Sequence, residues 1–142
     1  MLEFKTPQIE DKAWVDQCFK HLKTMNCDYT FGNMFVWSTE YSTKICRFKD
    51  FFICSWGMGK ETNFGIPVGK GDFKEAVEEV IKYAKANDIM PRFYGVTEAY
   101  VEMLNENFPD AFQFLYDESY GDYIYEVEKM ASLKGKKYHG KR

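Results

Sequence analysis

Three groups of residues in this sequence have types and spacings suited to chemistry. The first is Val68-Gly69-Lys70-Gly71, which precedes a strongly amphipathic stretch beginning at Asp72. Glycines let a backbone approach an anion, and a helix N-terminus offers unpaired N–H groups and the positive end of its dipole. Lys70 would add a point charge. The same Gly-x-Gly also makes an ordinary strand-to-helix turn, so an anion-binding site and a plain connection are both open. The second group is the basic cluster Lys136, Lys137, Lys141 and Arg142, flanked by Lys129 and Lys134. Clustered basic side chains suit the phosphates of a nucleic acid, and equally a solvated basic end. The third is the cysteines Cys18, Cys27, Cys46 and Cys54. No pair has CxxC spacing, so a zinc site is not expected, and free thiols packed in the interior are the simplest reading.

Other residues have competing readings. Tyr120, Tyr123, Tyr125 and Tyr138 could stack on bases, but core packing is the simpler account. Asp28 and Trp37 suit a pocket wall, or else capping and packing. Glu98 follows a predicted strand end, where a general base can sit, although acidity at a helix start explains it more cheaply. His21 falls on an exposed face of the first predicted helix. The sequence offers no nucleophile–base–orienter set and no Walker-type loop. The catalytic residues are therefore unassigned.

The background to these groups is a chain of 142 residues, the usual size of one domain. Aromatic residues make up 18%, which excludes disorder over most of the length. The longest uncharged run, Tyr29 to Thr39, is far short of the ~20 residues that a membrane span needs. No apolar stretch follows Met1, so a secretory signal is not read, and a cytoplasmic location is expected. The net charge of −3 hides an asymmetry. Up to residue 128 the chain has 13 basic and 22 acidic groups, whereas from Lys129 onward there are six basic residues and no acidic ones. An acidic body with a basic end suits an anionic partner for that end.

Periodicity predicts the elements that must position these groups. Leu2 to Lys5 reads as a short strand, and Asp11 to Lys23 as a helix with Trp14, Val15, Cys18, Phe19 and Leu22 inward. Asp28 or Thr30 caps a short helix through Trp37. Ser42–Phe48 and Phe51–Trp56 read as strands joined at Lys49-Asp50, and Phe64–Val68 as a third strand interrupted by Pro67. Asp72 and Glu75 have capping-box spacing ahead of a helix with Phe73, Ala76, Val77, Val80, Ile81 and Ala84 on one face. Arg92 to Val96 reads as a strand. Thr97 is placed to cap a helix from Glu98 to Asn107, and Pro109 stops it. Phe112–Tyr116 and Tyr123–Val127 read as a final pair of strands. Interspersed strands and helices of this kind make an α/β (α+β) domain, a mixed central sheet flanked by helices.

That element order resembles the GNAT acyl-CoA N-acyltransferase fold. Its donor turn is similar to Arg/Gln-x-x-Gly-x-Gly/Ala, and the matching stretch here is Ile66-Pro67-Val68-Gly69-Lys70-Gly71, with Ile66 where Arg or Gln belongs. The resemblance assigns Val68, Gly69, Lys70 and Gly71 to an acetyl-CoA or acyl-CoA donor. A second resemblance is more specific. Cys27-Asp28-Tyr29-Thr30-Phe31-Gly32-Asn33-Met34-Phe35-Val36-Trp37, together with Gly121-Asp122-Tyr123-Ile124-Tyr125 and the run from Met130-Ala131-Ser132-Leu133-Lys134-Gly135-Lys136-Lys137 to Lys141-Arg142, resembles the phosphatidylglycerol lysyltransferase C-terminal-domain family. That family comprises bacterial proteins with two GNAT-like domains in tandem. The resemblance implies a GNAT-like domain over residues 1–128 and a basic segment over 129–142 that joins a second GNAT-like domain. The family's pattern continues past the position of Arg142.

The implied function is the N-terminal half of an aminoacyl or acyl transferase, not catalytic alone. Aminoacyl-tRNA would be the donor, a lipid or peptide at the membrane surface the acceptor, and Lys136, Lys137, Lys141 and Arg142 the contacts to tRNA. A stand-alone CoA-dependent N-acetyltransferase and a non-catalytic interaction module on the same scaffold are the alternatives.

Overall fold

The computed structural model describes residues 1–22, 24–135 and 140. The described chain holds five α-helices and five short strands. A short 3-10 turn, Ile9–Asp11, leads into α1 (Lys12–Phe19), and Cys27–Tyr29 into α2 (Phe31–Trp37). An antiparallel hairpin follows, β1 (Lys44–Phe48) and β2 (Phe51–Trp56), in the register Ile45↔Cys54 and Cys46↔Ile53. Lys49, at φ 53°, makes the tight turn between them. Then come β3 (Asn63–Gly65), β4 (Val68–Gly69), α3 (Phe73–Ala86), β5 (Phe93–Tyr94), α4 (Glu98–Asn107) and α5 (Val127–Ser132).

The sheet order is β1-β2-β3-β5, with β4 also pairing β2. β1, β3 and β4 each pair antiparallel with β2, and β5 runs parallel to β3, so the sheet is mixed. Side chains alternate across it as strand geometry requires. Phe51 and Ile53 point to the side covered by α3, where Ala76, Val77, Val80 and Ala84 are fully buried. Phe52 and Ile45 point to the other side, against Val15 and Cys18 of α1 and Phe31 of α2. Burying each such valine or larger side chain contributes roughly 1.5–3 kcal/mol. The result is a mixed sheet between two helical layers, the α+β class expected and consistent with a GNAT-like fold.

Local chemistry explains the element ends. Thr30 caps α2, its hydroxyl accepting from Asn33 N at 3.4 Å, while Asp28 instead accepts from Asn33 Nδ2 at 3.0 Å. Asp72 caps α3 by accepting from Glu75 N at 3.0 Å. An ion pair between Lys49 and Glu75 ties this helix start to the β1–β2 turn.

Several expectations need correction. The first helix ends at Phe19, because His21 N and Leu22 N bond to the carbonyls of Cys18 and Phe19, three residues back, and so tighten the chain into a turn. The predicted strand at Leu2–Lys5 is reduced to one bridge, in which Lys5 and Ile45 exchange bonds of 2.9 and 2.8 Å. The predicted strand Phe64–Val68 is split. Phe64 pairs with Ser55 and Val68 with Phe52, so four steps on this strand oppose three on β2. The extra residue is a β-bulge at Ile66-Pro67, where proline has no N–H to give the ladder. Phe112–Tyr116 and Tyr123–Val127 form no strand. Both lack a pairing partner among the described residues, and Val127 opens α5 instead. An unpaired strand gains no ladder hydrogen bonds to offset its ordering entropy.

Candidate functional site

The bulge at Ile66-Pro67 has a geometric consequence. β3 and β5 pair side by side at Phe64↔Phe93 and Gly65↔Tyr94. Beyond this point the first of them bends away as β4 to pair with Phe51 and Phe52. A cleft of about 310 Å³ lies where the two paths part, walled by Pro67, Gly69, Gly71 and Phe73 on one side and by Thr97, Ala99, Tyr100 and Met103 on the other. His21, Leu22 and Phe51 complete the wall. Such a crevice beyond the carboxyl ends of parallel strands is a common place for a ligand in sheets flanked by helices.

Much of the lining is apolar. Phe73 and Tyr100 face each other with ring centroids 5.7 Å apart and planes 30° from parallel. Burial pushes the Tyr100 phenol above its ordinary pKa, so its hydroxyl stays a neutral hydrogen-bond donor. Thr97 precedes α4 without using its side chain as a cap. His21 joins the cleft wall where the chain turns after Phe19.

A second group of residues buttresses the cleft's rim. The Tyr29 hydroxyl donates to the Gly95 carbonyl at 3.1 Å, tying the segment before α2 to the loop between β5 and α4. Desolvation raises the pKa of the Tyr29 phenol, and the nearby Cys54, Tyr100 and Asp28 add to the effect. Burial pushes the Cys54 thiol up to about 12, so it is a poor nucleophile at neutral pH. Cys54 Sγ lies 2.5 Å from where a Cβ on Gly65 would stand, so a larger residue there would have to displace the thiol.

The structure distributes the sequence-derived candidates as follows. Gly69 and Gly71 line the cleft, whereas Val68 is fully buried beneath it and the exposed Lys70 donates its backbone N–H to the Asp50 carbonyl at 3.3 Å. Asp72 holds a carboxylate on the same helix end, the place an anion would occupy. Glu98 is exposed at the first position of α4 and is not part of the cleft wall. Asp28 bonds to Asn33, and Trp37 is 49% exposed with its ring 6.0 Å from Tyr41. Tyr123 and Tyr125 are not packed in a core, being 89% and 49% exposed. The basic candidates Lys136, Lys137, Lys141 and Arg142, and Tyr138, lie outside the described residues. All four cysteines are free. Cys18 and Cys46 are buried, Cys54 is partly buried, and Cys27 is exposed, against the expectation of interior packing for all. Among the described residues no cluster of His, Cys, Asp and Glu could hold a metal ion, and no helix is long and apolar enough to cross a membrane.

The sequence reading missed Tyr100 and Met103. Their i, i+3 spacing on α4 puts them on one face, but Val101, Leu104 and Phe108 offer a more strongly apolar inward stripe and mask them.

Comparison with known proteins gives two matches. The family described as Phosphatidylglycerol lysyltransferase, C-terminal, matches residues 19–142. A conserved protein of unknown function from Bacteroides thetaiotaomicron VPI-5482, solved by crystallography, is similar in structure with a TM-score of 0.85 and 30% sequence identity. The match covers 99% of this chain and 48% of that one, so this chain spans about half the length of the solved protein. Curated proteins return no match.

Proposed function

Because the chain belongs to the phosphatidylglycerol lysyltransferase C-terminal family and so carries a lysyltransferase-related domain, we propose that its cleft receives the acyl or aminoacyl group of an activated donor. The observation that carries this reading is the position of the cleft, at the parting of β3 and β5 and beside the Val68–Gly71 turn. A mainly apolar wall with a neutral phenol suits an acyl or aminoacyl group. The Asp72 carboxylate on the α3 end disfavours a pyrophosphate as the main anchor. An aminoacyl-tRNA donor is therefore preferred to acyl-CoA. Lys136, Lys137, Lys141 and Arg142 would meet tRNA phosphates.

The chemistry is a direct transfer. The acceptor's amine or hydroxyl attacks the donor's ester carbonyl. The resulting oxyanion collapses, the bond to the tRNA 3′ oxygen breaks, and the acceptor's proton ends on that oxygen. The Tyr100 hydroxyl, like that of Thr97, is a group of the cleft wall able to donate to the oxyanion, a role worth several kcal/mol where water is excluded. The acceptor class, a lipid or peptide at a membrane surface, belongs to the same proposal, as does a second GNAT-like domain that completes the site.

The test is titration of the purified chain with lysyl-tRNA and, separately, with acetyl-CoA. An Ala99→Trp variant is the control, since Ala99 is an exposed residue on the cleft wall and its enlargement fills the space. Lysyl-tRNA binding weakened tenfold or more by Ala99→Trp is the expected result. Binding that the variant leaves unchanged, or preference for acetyl-CoA, would overturn the reading.

A further inference from the structure

The stretch between α4 and the end of α5 has an unusual surface for a soluble domain. Leu115 is 88% exposed, Tyr116 90%, Tyr123 89%, Ile124 62% and Val127 77%. The two most exposed tyrosines alone present roughly 300 Å² of ring surface, and monomeric proteins seldom show large apolar patches without a use for them. The composition is that of strands, aromatic and β-branched with alternating acids at Glu126 and Glu128, yet no strand forms there among the described residues. The start of the segment is anchored. Phe112 packs on Phe108 and Phe93 with centroids 5.6 and 6.0 Å apart, while Leu115, Tyr116, Tyr123, Ile124 and Val127 face outward.

What covers the segment is indicated by the solved Bacteroides protein. The match includes 99% of this chain, hence nearly all of this segment, at a TM-score of 0.85, and leaves about half of the longer chain unmatched. The fold that carries 115–127 thus shares its polypeptide, in that protein, with an unmatched stretch of similar length.

We propose that residues 115–127 are the seat of a second protein domain, which buries Leu115, Tyr116, Tyr123, Ile124 and Val127 against its own apolar surface. The inference rests on the part of the proposed function that pairs this chain with a second domain, and not on the transfer chemistry. The occupant is a folded domain and not a nucleic acid. The exposed side chains are apolar, and Asp117, Glu118, Asp122, Glu126 and Glu128 beside them repel phosphate.

The first test needs only the Bacteroides coordinates. The residues structurally equivalent to Leu115, Tyr116, Tyr123, Ile124 and Val127 should lose more than half of their accessible surface to the unmatched half of that chain. Equal exposure with and without that half would overturn the proposal. The second test is thermal denaturation of a Tyr123→Asp/Ile124→Asp variant of this chain, alongside the same substitutions at the equivalent positions of the Bacteroides protein. This chain should melt within about 2 °C of its parent, because both residues are exposed in it, and the longer protein about 5 °C lower or more. A comparable fall in this chain, or none in the longer one, would overturn the docking surface. Neither outcome touches the donor titration, so failure of the docking surface and failure of the transferase reading are separable.

Discussion

The Tyr29 hydroxyl donates a 3.1 Å hydrogen bond to the carbonyl oxygen of Gly95, across 66 residues of sequence. Gly95 sits at φ +69°, and a Cβ there would stand 2.1 Å from the same hydroxyl. One glycine thus answers two demands, a left-handed backbone and a close approach by a phenol. The contact joins the segment before α2 to the loop that sets the start of α4, and so holds one wall of the cleft.

Removing either partner should therefore show coupling. Tyr29→Phe should cost about 1 kcal/mol through the lost hydrogen bond. Gly95→Ala should cost more, about 2–3 kcal/mol, from the positive φ and the clash with the phenol. In the double variant the nearest obstacle is the ring carbon, 3.1 Å from the Cβ position, in place of the hydroxyl. The two costs should then sum to more than the double variant shows, which a double-mutant cycle by urea denaturation will read.

Asp11 supports the N-terminal segment. It is 5% exposed and accepts from Lys5 Nζ at 2.6 Å, Trp14 Nε1 at 2.9 Å and Gln8 N at 2.9 Å. Desolvation pushes its carboxyl up, but the bonds from Lys5, Trp14 and Gln8 together outweigh that, and its pKa is lowered. A carboxylate depressed in the folded state contributes stability above its unfolded pKa of about 3.9, and that stability is lost as pH falls through the folded value. Asp11→Asn should cost about 1–3 kcal/mol at pH 7. The gap from the parent should narrow in denaturation curves taken below about pH 4.

The glycines make opposite predictions at two positions. A Cβ on Gly69 would stand 2.1 Å from the Asp50 carbonyl oxygen and 2.8 Å from Phe51 Cα, backbone atoms of the β1–β2 turn and of the start of β2. Gly69→Ala should destabilise by about 3 kcal/mol. Gly32 lies in α2 with nothing within 4 Å of the added carbon, so Gly32→Ala should stabilise by about 0.5–1 kcal/mol. Paired thermal melts will decide both. The first result also bears on the donor turn, because a substitution at Gly69 tests sheet pairing before it tests ligand binding.

The cysteines should separate by reactivity. Cys27 is exposed, whereas burial raises the thiols of Cys18, Cys46 and Cys54. A colourimetric disulfide reagent at pH 8 should modify one thiol rapidly and the other three only on unfolding, and Cys27→Ser should abolish the fast phase. Raised thiols also favour the folded state only while the unfolded chain keeps its protons. Their contribution, with that of Tyr29, should be present below about pH 9 and fall as pH rises toward 12.

The sequence alone determined the elements whose signals are local. The α3 stripe from Phe73 to Ala84 has a 3.6-residue period that only a helix can turn to one side, and the Asp72–Glu75 cap marks its start, so the helix was legible in full. The turn at Lys49-Asp50 and the span of α4 from Glu98 to Asn107 were legible for the same reason, while the choice of Thr30 over Asp28 as the cap of α2 came from the structure. The family was legible from the motifs at Cys27–Trp37 and Gly121–Arg142. Pro67 announced an interruption, but its form waited on the tertiary structure. A bulge is defined by what lies opposite, and the partners Ser55 and Phe52 are remote in sequence. The cleft was illegible for the same reason, since His21, Gly71 and Tyr100 meet only when a bulged strand parts from β5. The last two predicted strands failed because alternation at Phe112–Tyr116 and Tyr123–Val127 states a preference for pairing and does not supply the partner. Local periodicity sets what a segment can become. Pairing across the fold, with its loop-closure cost and its ladder of hydrogen bonds, decides whether it does.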